Sequence, residues 1–221
     1  MLQTRYYFTN EFNRFIPILE QYPHETVFFR KKDYLKPPGD IFRYNYLIID
    51  GFCKVSVIHA SGEEKIIGYW GPGSIYPIIC TEQAFLLETS IVVTAMTPMT
   101  AWRYNTAVTK TYIYDHPDIS YEMIDHYGKF TNLLFFCTAA QTYEDLKTRL
   151  CSMLLICRQN LKSSEIPLSQ AELASMIGAK RESVVKILKE LRENEIIATT
   201  HSRIHILSIE KLEKLSSLLL Q

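Results

Sequence analysis

The sequence predicts an α+β fold in three parts: a roll of short strands, one long helix, and a smaller domain of two helices followed by a β-hairpin. Three observations support this division. Turn signals separate short alternating segments up to Tyr104, a proline-free stretch of about 25 residues follows, and two short helical patterns then flank Gly178. We place the parts at residues 1–115, 116–145 and 146–221.

The first part begins with a short helix around residues 11–20, which Pro17 is expected to interrupt. Turn signals such as Asp50-Gly51 and Ser61-Gly62 then separate segments of alternating hydrophobicity. Five of these segments have the character of strands: Tyr46–Ile49, Cys53–Ile58, Glu64–Trp70, Ser90–Ala95 and Thr100–Tyr104. Their regular spacing predicts an antiparallel barrel or roll.

The long helix is predicted to run from about Asp118 to about Thr142. One set of residues recurs along it at alternating steps of four and three: Ile119, Met123, His126, Phe130, Leu133, Cys137 and Ala140. This is the spacing of a two-stranded coiled coil, so we expect the set to face a second subunit. A second apolar set would then cover the roll: Ile124, Tyr127, Leu134, Phe135 and Phe136. A homodimer follows, because one monomer cannot bury both sets.

The stretch from Leu168 to Leu188 has the residue pattern of a helix-turn-helix, in which two helices cross at close range. Ala174 is small where the helices would cross, and Gly178 can adopt the positive φ that a tight turn requires. Two β-rich runs joined by a polar turn at residues 200–202 come after the second helix. Together these features predict a winged helix-turn-helix domain.

The second helix of this pair, from about Lys180 to about Glu193, would lie in the DNA major groove. Arg181 suits guanine or phosphate, whereas the Glu182 carboxylate can accept only from an exocyclic amine such as cytosine N4. We predict eight DNA-binding residues: Ser169, Gln170, Lys180, Arg181, Glu182, Ser183, Lys186 and Arg203. An ordinary amphipathic helix with a solvated polar face is the alternative interpretation of this helix alone.

Charge is divided unevenly along the chain, although its total is zero. Up to Leu146 there are twelve basic and sixteen acidic residues, a net charge of −4, whereas the rest carries twelve basic and eight acidic residues, a net charge of +4. The positive part coincides with the helix-turn-helix pattern, as expected for a DNA-binding domain. The sequence has no apolar run of about 18 residues and no basic-then-apolar leader, which predicts a cytoplasmic protein without a membrane segment.

The five cysteines are scattered singly along the chain: Cys53, Cys80, Cys137, Cys151 and Cys157. Because they form no C-x-x-C pair, we predict neither a structural zinc nor an iron–sulfur site, and we expect no metal and no cofactor. Buried cysteines commonly act as small apolar side chains. The sequence also contains no nucleophile with a spaced base and no phosphate-binding loop, so we do not expect an enzyme.

Four turn motifs precede the long helix: Pro38-Gly-Asp40, Asp50-Gly-Phe-Cys-Lys-Val55, Ser61-Gly-Glu-Glu-Lys65 and Gly71-Pro-Gly-Ser74. In this order, with the winged domain after them, they resemble the CRP/FNR family of bacterial transcription regulators over roughly residues 24–210. The segment Gly178–Leu188 is similar to the family's reading helix, with Arg181, Glu182 and Lys186 at its base-contacting positions. The resemblance implies a cyclic-nucleotide-binding-like roll with an effector, a homodimer on double-stranded DNA at a palindromic operator, and a contact with RNA polymerase.

The run from Gly73 to Ile91 contains no arginine, although cyclic-nucleotide members of the family carry one there for the cyclic phosphate. Because that phosphate would lack its charge-assisted hydrogen bonds, we exclude cAMP as the effector. The aromatic-rich long helix instead resembles the halophenol-responsive, CprK-like branch, which implies a phenolate held by a lysine of this helix. By that resemblance, an aromatic or anionic small-molecule effector would bind at Tyr69, Tyr76, Tyr127 and Lys129.

Three other interpretations of these residues stay open. Lys129 can extend its charge to water instead of holding a ligand. A thiol redox switch on the same scaffold would use Cys53, Cys80 or Cys137. The chain can also act without an effector, because the run from Gly73 to Ile91 has lost its polar anchors.

Overall fold

The computed structural model describes residues 4–78, 88–200 and 203–217. It divides into two compact units, one comprising Tyr7–Lys129 and the other comprising Phe130 onward together with the segment before Tyr7. The division falls inside the long helix, so each unit contains part of that helix. None of the helices in the described ranges combines the length and apolar character needed to cross a membrane.

The strands of the first unit form two sheets. They are β1 (Tyr7–Phe8), β2 (Glu25–Phe29), β3 (Tyr34–Lys36), β4 (Tyr44–Asp50), β5 (Cys53–Ile58), β6 (Glu64–Trp70), β7 (Ile75–Tyr76), β8 (Ile91–Ala95) and β9 (Met99–Asn105). One sheet has the order β2-β9-β4-β7 and the other has the order β1-β6-β5-β8-β3. Neighbouring strands are antiparallel except for β1 and β6. The five strands expected from the sequence correspond to β4, β5, β6, β8 and β9, which confirms the β-rich N-terminal part.

Three helices begin in the first unit: α1 (Ile16–Leu19), α2 (Thr106–Asp115) and α3 (Pro117–Tyr143). A 3₁₀ turn, Asn13–Phe15, leads into α1. The helix expected around residues 11–20 is therefore shorter than the sequence suggested. Pro17 does not interrupt α1, because it lies in the first turn, just after Ile16, where its missing N–H breaks no hydrogen bond.

The core of the first unit lies between the four-stranded sheet, α2 and the first half of α3. Its buried members come from the N-terminal helical turns, from β4, β7 and β9, and from both longer helices: Phe12, Phe15, Leu19, Leu47, Ile75, Ile78, Tyr104, Tyr112, Ile119 and Met123. The Tyr104 hydroxyl donates to the backbone carbonyl of Leu19 at 3.0 Å, so its polar end is satisfied inside the core.

The two apolar faces of α3 are used in the opposite way to the sequence prediction. The set expected to face a second subunit is largely buried within the chain, as at Ile119, Met123 and Leu133. The set expected to cover the roll is largely exposed: Ile124 by 68%, Tyr127 by 42%, Leu134 by 39% and Phe135 by 71%. The first set recurs at steps of four and three, and Ile124, Tyr127 and Leu134 of the second set are also one or two helical turns apart, so periodicity alone cannot tell which face meets the core. The assignment of the seam to the first set was wrong.

The second unit continues from α3 into a small domain. Its elements are α4 (Leu146–Leu161), β10 (Glu165–Ile166), α5 (Gln170–Ile177), α6 (Arg181–Glu193), β11 (Ile197–Thr200), β12 (Arg203–Ile206) and α7 (Ile209–Glu213). The antiparallel strands form one sheet in the order β10-β12-β11. The helix pair α5–α6 and the hairpin β11–β12 confirm the winged helix-turn-helix, although residues 201 and 202 of the predicted polar turn lie outside the described residues.

Candidate nucleic-acid interface

Helix α5 begins with a capping box built from its own sequence. The Ser169 hydroxyl accepts from the backbone N–H of Glu172 at 3.3 Å, and the Glu172 carboxylate accepts from the backbone N–H of Ser169 at 2.8 Å. Such a reciprocal cap satisfies two N–H groups that the first turn leaves without helical partners. The start of α5, with Ser169 and Gln170, is therefore held in a defined position.

The turn between α5 and α6 has the steric features expected from the sequence. Gly178 ends α5 with a φ of +64°, in the left-handed region that favours glycine. The next backbone N–H, that of Ala179, donates to the carbonyl of Ala174 at 2.9 Å. Ala174 is 4% exposed, which fits a small residue at the point where α5 meets α6.

Helix α6 separates a buried face from an exposed, charged face. Val184, Leu188 and Leu191 are each at most 1% exposed and form the buried face. The exposed side carries the residues predicted to contact DNA, with Ser183 at its edge: Lys180, Arg181, Glu182, Ser183 and Lys186. Lys180 caps the helix through its backbone and Arg181 is its first residue, so these side chains stand at the beginning of the helix.

Two polar contacts tie the helix pair to α4. The Lys147 ammonium pairs with the Glu190 carboxylate of α6 at 2.6 Å, and this hydrogen bond raises the pKa of Lys147. The Arg149 guanidinium donates to the backbone carbonyl of Ile177, the last residue of α5, at 3.2 Å. Helix α4 therefore orients both members of the pair.

A groove of about 560 Å³ runs along the exposed side of this domain. It is lined by the start of α5, both ends of α6 and strand β11: Ser169, Gln170, Ala171, Arg181, Arg192, Thr199 and Thr200. The groove thus brings together three of the predicted DNA-binding residues. It also includes Arg192, Thr199 and Thr200, which the sequence analysis missed because helical periodicity places Arg192 in the last turn of α6, away from the expected base-reading start.

Arg203 points away from this groove toward another strand. Its guanidinium forms an ion pair with the carboxylate of Glu165, on the neighbouring strand β10. Both side chains are well exposed, so the pair is screened by water and weak. A DNA contact by Arg203 stays a prediction, and it would have to compete with this carboxylate.

Tyr76, one of the four predicted effector residues, belongs to an aromatic cluster in the first unit. Trp70 is fully buried and donates its indole N–H to the His126 Nε2 atom at 3.3 Å. The Trp70 ring also stacks on Phe8 at 4.8 Å and packs against Tyr76 at 4.6 Å between centroids. These side chains fill the space between β6 and the first half of α3.

Of the four predicted effector residues, the structure brings Tyr76 and Tyr127 close to each other. Burial raises the pKa of the Tyr76 hydroxyl, and nearby Cys53 and Tyr127 raise it further. Tyr69 is also buried, but its ring stacks on Tyr7 at 4.9 Å. Lys129 lies on the same helix as Tyr127, with its ammonium directed at carboxylates.

The Lys129 ammonium is held in an ion-pair network. It pairs with the Asp125 carboxylate and lies 3.9 Å from the Glu122 carboxylate, which also accepts from Arg14 at 3.0 Å. The Lys129 side chain is only 14% exposed, so it does not extend freely into water, which was the alternative considered from the sequence. An anionic ligand at Lys129 would have to compete with Asp125.

The described cysteines have different surroundings. Burial raises the pKa of the Cys53 and Cys151 thiols to about 12 each, and it also raises that of Cys157. Such thiols carry almost no thiolate near neutral pH, which makes them unreactive. Cys137 is half-buried and hydrogen-bonded to the Tyr6 hydroxyl at 3.4 Å. Cys80, another redox candidate, lies outside the described residues.

Within residues 4–78, 88–200 and 203–217, the structure contains no group of three or more histidine, cysteine, aspartate or glutamate side chains that could hold a metal ion.

Comparison with known proteins supports the assignment of a helix-turn-helix domain. Residues 148–215 match the model of the Crp-like helix-turn-helix domain. Over 200 residues the chain is 25% identical to a global nitrogen regulator of Synechocystis sp., covering 86% of this chain and 84% of the relative. The relatives that it matches are regulators, not enzymes.

Solved structures with the same fold cover almost the whole chain. A CooA mutant from Carboxydothermus hydrogenoformans superposes with a TM-score of 0.74 at 18% identity, covering 90% of this chain and 89% of that one. A structure described as OCPA-complexed CprK superposes with a TM-score of 0.72 at 18% identity, covering 94% and 98%. The chain therefore has the fold of these proteins, its residues 148–215 match a Crp-like helix-turn-helix domain, and along most of its length it is similar to bacterial transcription regulators.

Proposed function

We propose that this protein is a transcription regulator of the CRP/FNR type, a homodimer that reads a two-fold symmetric operator and responds to a small organic effector. One observation carries the DNA-reading part: α6 exposes Arg181, Glu182 and Lys186 on the outer face of a helix whose other face is buried. Residues 1–115 would form the effector part, 116–145 the dimerisation helix and 146–221 the DNA-binding part. As a DNA-binding regulator, the protein would act in the cytoplasm and contact RNA polymerase.

Base reading would begin at the first turn of α6. The Arg181 guanidinium can donate two hydrogen bonds to guanine O6 and N7, and the Glu182 carboxylate can accept from the cytosine amino group. Lys180, Ser183 and Lys186 would contact bases or phosphates beside them. Ser169 and Gln170, at the start of α5, would contact the backbone. Arg203 could also contact DNA, but its ion pair with Glu165 would first have to break.

The exposed face of α3 supports the homodimer. Its residues recur at alternating steps of three and four: Tyr121, Ile124, Gly128, Thr131, Phe135, Thr138 and Thr142. All of them are exposed in the single chain, including Tyr121 and Phe135 at 71% each. A heptad row of this kind becomes buried when it packs against a second copy of itself.

The polar members of this row fit an apolar interface. The Thr138 hydroxyl donates to the Leu134 carbonyl at 2.8 Å, and the Thr142 hydroxyl donates to the Thr138 carbonyl at 3.0 Å. Because both hydroxyls have partners in their own helix, burial would not leave them unsatisfied. Gly128 has no described atom within 4 Å of an added Cβ, so packing among the described residues does not require a glycine there. A close approach of two helices would require one.

The effector proposal depends on the aromatic cluster and the ion pairs beside it. Tyr69, Tyr76 and Tyr127 offer aromatic surfaces, and Lys129 offers a cation that is paired with Asp125. An aromatic anion, such as the phenolate class, could replace the Asp125 carboxylate at Lys129. The likeness to a ligand-complexed CprK supports this class, whereas the likeness to global nitrogen regulators supports no particular ligand.

A melting-temperature screen tests the effector. Chlorophenols and aromatic carboxylates should raise the melting temperature of the parent protein, and Lys129→Ala should abolish the rise while Lys162→Ala, at an exposed lysine of the other unit, preserves it. The same shift in parent and Lys129→Ala would remove Lys129 from the site.

Regulation without an effector is the second candidate, and the dense packing of Trp70 against Phe8, Tyr76 and His126 favours it. A thiol switch is the third, and its remaining described candidate is Cys137, since burial suppresses the thiolate of Cys53. No response to any screened ligand, with full DNA binding in its absence, would select the second candidate. A change of DNA affinity on oxidation, absent in Cys137→Ser, would select the third.

The DNA-reading proposal is tested by selecting binding sites from a randomised duplex library with the full chain. We expect a palindromic site whose half-sites lie about 34 Å apart. Arg181→Ala and Glu182→Ala should each lower the preference for that site over random duplex by about 30-fold or more, because each removes a base contact of about 1–3 kcal/mol from both half-sites. Glu213→Ala, an exposed carboxylate on α7, is the matched control. Equal preference in all variants would contradict the assignment.

A further inference from the structure

The groove between α5 and the wing is chemically unlike a small-molecule site. Ligand pockets of similar size are lined mainly by apolar and aromatic side chains. Among the described residues, the lining of this groove of about 560 Å³ instead has two guanidiniums, three hydroxyls and one amide, with Ala171 as the apolar member, and it includes no carboxylate. Such a surface suits an anion with several acceptor oxygens.

The Arg192 guanidinium is held in position by a neutral partner. It donates to the Thr199 hydroxyl at 3.0 Å, which connects the last turn of α6 to strand β11. The hydroxyl orients the guanidinium without offsetting its charge. Arg203, the basic residue that the sequence pointed to in the wing, instead has a carboxylate partner in Glu165. Arg192 of α6, held beside β11 by Thr199, is therefore a positive charge next to the wing that has no carboxylate partner among the described residues.

The separation of the two arginines argues for a polymeric anion. Arg181 and Arg192 are eleven residues apart on α6, which at about 1.5 Å per residue separates their backbones by about 16 Å. One small anion cannot readily bridge that distance, whereas successive phosphates of one DNA strand, about 3.4 Å apart along the axis, extend over it. Both arginines lie on the helix that carries the base-reading residues.

We propose that Arg192, positioned by Thr199, contacts a phosphodiester group of the operator backbone and extends the DNA footprint from α6 to the wing. This inference rests on the proposed DNA-binding function. Arg192 acts as a backbone contact and carries no sequence information, because phosphates are the same in every sequence. This contact positions the wing against the DNA strand that passes the start of α5.

The salt dependence of binding tests the proposal. Affinities of the full chain for its selected duplex and for a random duplex are measured between 0.1 and 0.3 M salt, for the parent, Arg192→Gln, Arg192→Lys and Lys162→Gln. Each lost phosphate contact lowers the slope of log affinity against log salt by about 0.9. A dimer makes this contact twice. Raising the salt from 0.1 to 0.3 M should therefore lower the affinity of the parent about sevenfold more than it lowers the affinity of Arg192→Gln, on both duplexes.

The two other variants separate charge from general damage. Arg192→Lys keeps the positive charge and should retain the slope of the parent. Lys162→Gln removes one charge from an exposed residue that does not line the groove, and it should also retain that slope. Because Arg192 is exposed, its replacement by glutamine should leave the far-ultraviolet circular dichroism and melting temperature unchanged.

The outcomes distinguish this inference from the proposed function. A parent protein that prefers no duplex would contradict the proposed function itself. A parent that binds its selected site, with an unchanged slope in Arg192→Gln, would overturn the role of Arg192 alone. If Arg192→Gln weakened only the selected duplex and left the random duplex unaffected, Arg192 would read a base, and the phosphate assignment would be wrong.

Discussion

Replacing Phe135 by alanine should weaken the homodimer and leave the folded monomer intact. The side chain is 71% exposed in the single chain and lies in the middle of the exposed row of α3. Burying a phenylalanine completely contributes about 1.5–3 kcal/mol, so the exposed share corresponds to about 1–2 kcal/mol in each subunit. Because two-fold symmetry buries the residue twice, Phe135→Ala should cost the dimer about 2–4 kcal/mol. The dimer Kd should rise by roughly 30- to 1,000-fold.

Sedimentation velocity over a concentration series measures this Kd directly. Phe28→Ala is the matched control, because Phe28 is 76% exposed on β2, in a different element from the helix row. It removes the same chemical group from the surface, and the dimer Kd should stay within about threefold of the parent value. Operator binding should weaken with Phe135→Ala and be unaffected by Phe28→Ala.

Two results would refute the reasoning about α3. A Phe135→Ala protein that dimerises like the parent would mean that the exposed row does not form the interface. Equal weakening by Phe28→Ala would mean that general surface apolarity, rather than the heptad row, drives association.

Three further substitutions test individual contacts. Gly178→Ala should lower the free energy of unfolding by about 1 kcal/mol in urea titrations, because its φ of +64° strains a residue with a Cβ. Asp145→Ala removes the cap of α4 and should cost about 1 kcal/mol at pH 7. The backbone N–H of Thr148 donates to the Asp145 carboxylate and lowers its pKa. The stabilisation by this cap is therefore complete above the ordinary aspartate pKa and is lost as the pH falls through the lower pKa of the folded state. The stabilities of the parent and Asp145→Ala should converge in acid denaturation. Trp70→Phe should lower the melting temperature, because the His126 Nε2 atom loses a donor worth about 1 kcal/mol.

The helix-turn-helix was predictable because its determinants are local. A small residue at Ala174, a left-handed turn at Gly178 and a serine cap at Ser169 each leave a mark in a few adjacent residues. The strands of the roll were predictable for a similar reason, since alternation and turn residues delimit them. These features do not depend on which distant segment packs against them.

The face of α3 that meets the core was not predictable from the sequence. Both candidate sets contain apolar residues one or two helical turns apart, and even His126 belongs to the buried set. His126 can be buried there because the indole of Trp70, which lies 56 positions away in the sequence, supplies it with a hydrogen-bond donor. Helical periodicity records that a face is apolar, but it does not record which surface covers that face.

The positive charge that is free to attract DNA also could not be predicted from the sequence, because it depends on which carboxylates lie beside the basic side chains. Sequence counting assigns a net charge of +4 to the part after Leu146. In the structure, Lys147 and Arg203 each have a carboxylate beside them, contributed by Glu190 and Glu165. Their charges are partly offset before any DNA approaches.

The arginines of the groove differ in this respect, and that difference decides where DNA would be attracted. Within the described residues, no carboxylate forms an ion pair with Arg181 or Arg192, and Arg192 is held by the Thr199 hydroxyl. A phosphate therefore meets their full charge and has no bound anion to displace, whereas at Arg203 it would first have to compete with Glu165. Under the proposed function, DNA would accordingly be attracted more strongly to the groove, which extends from the start of α5 to β11, than to Arg203.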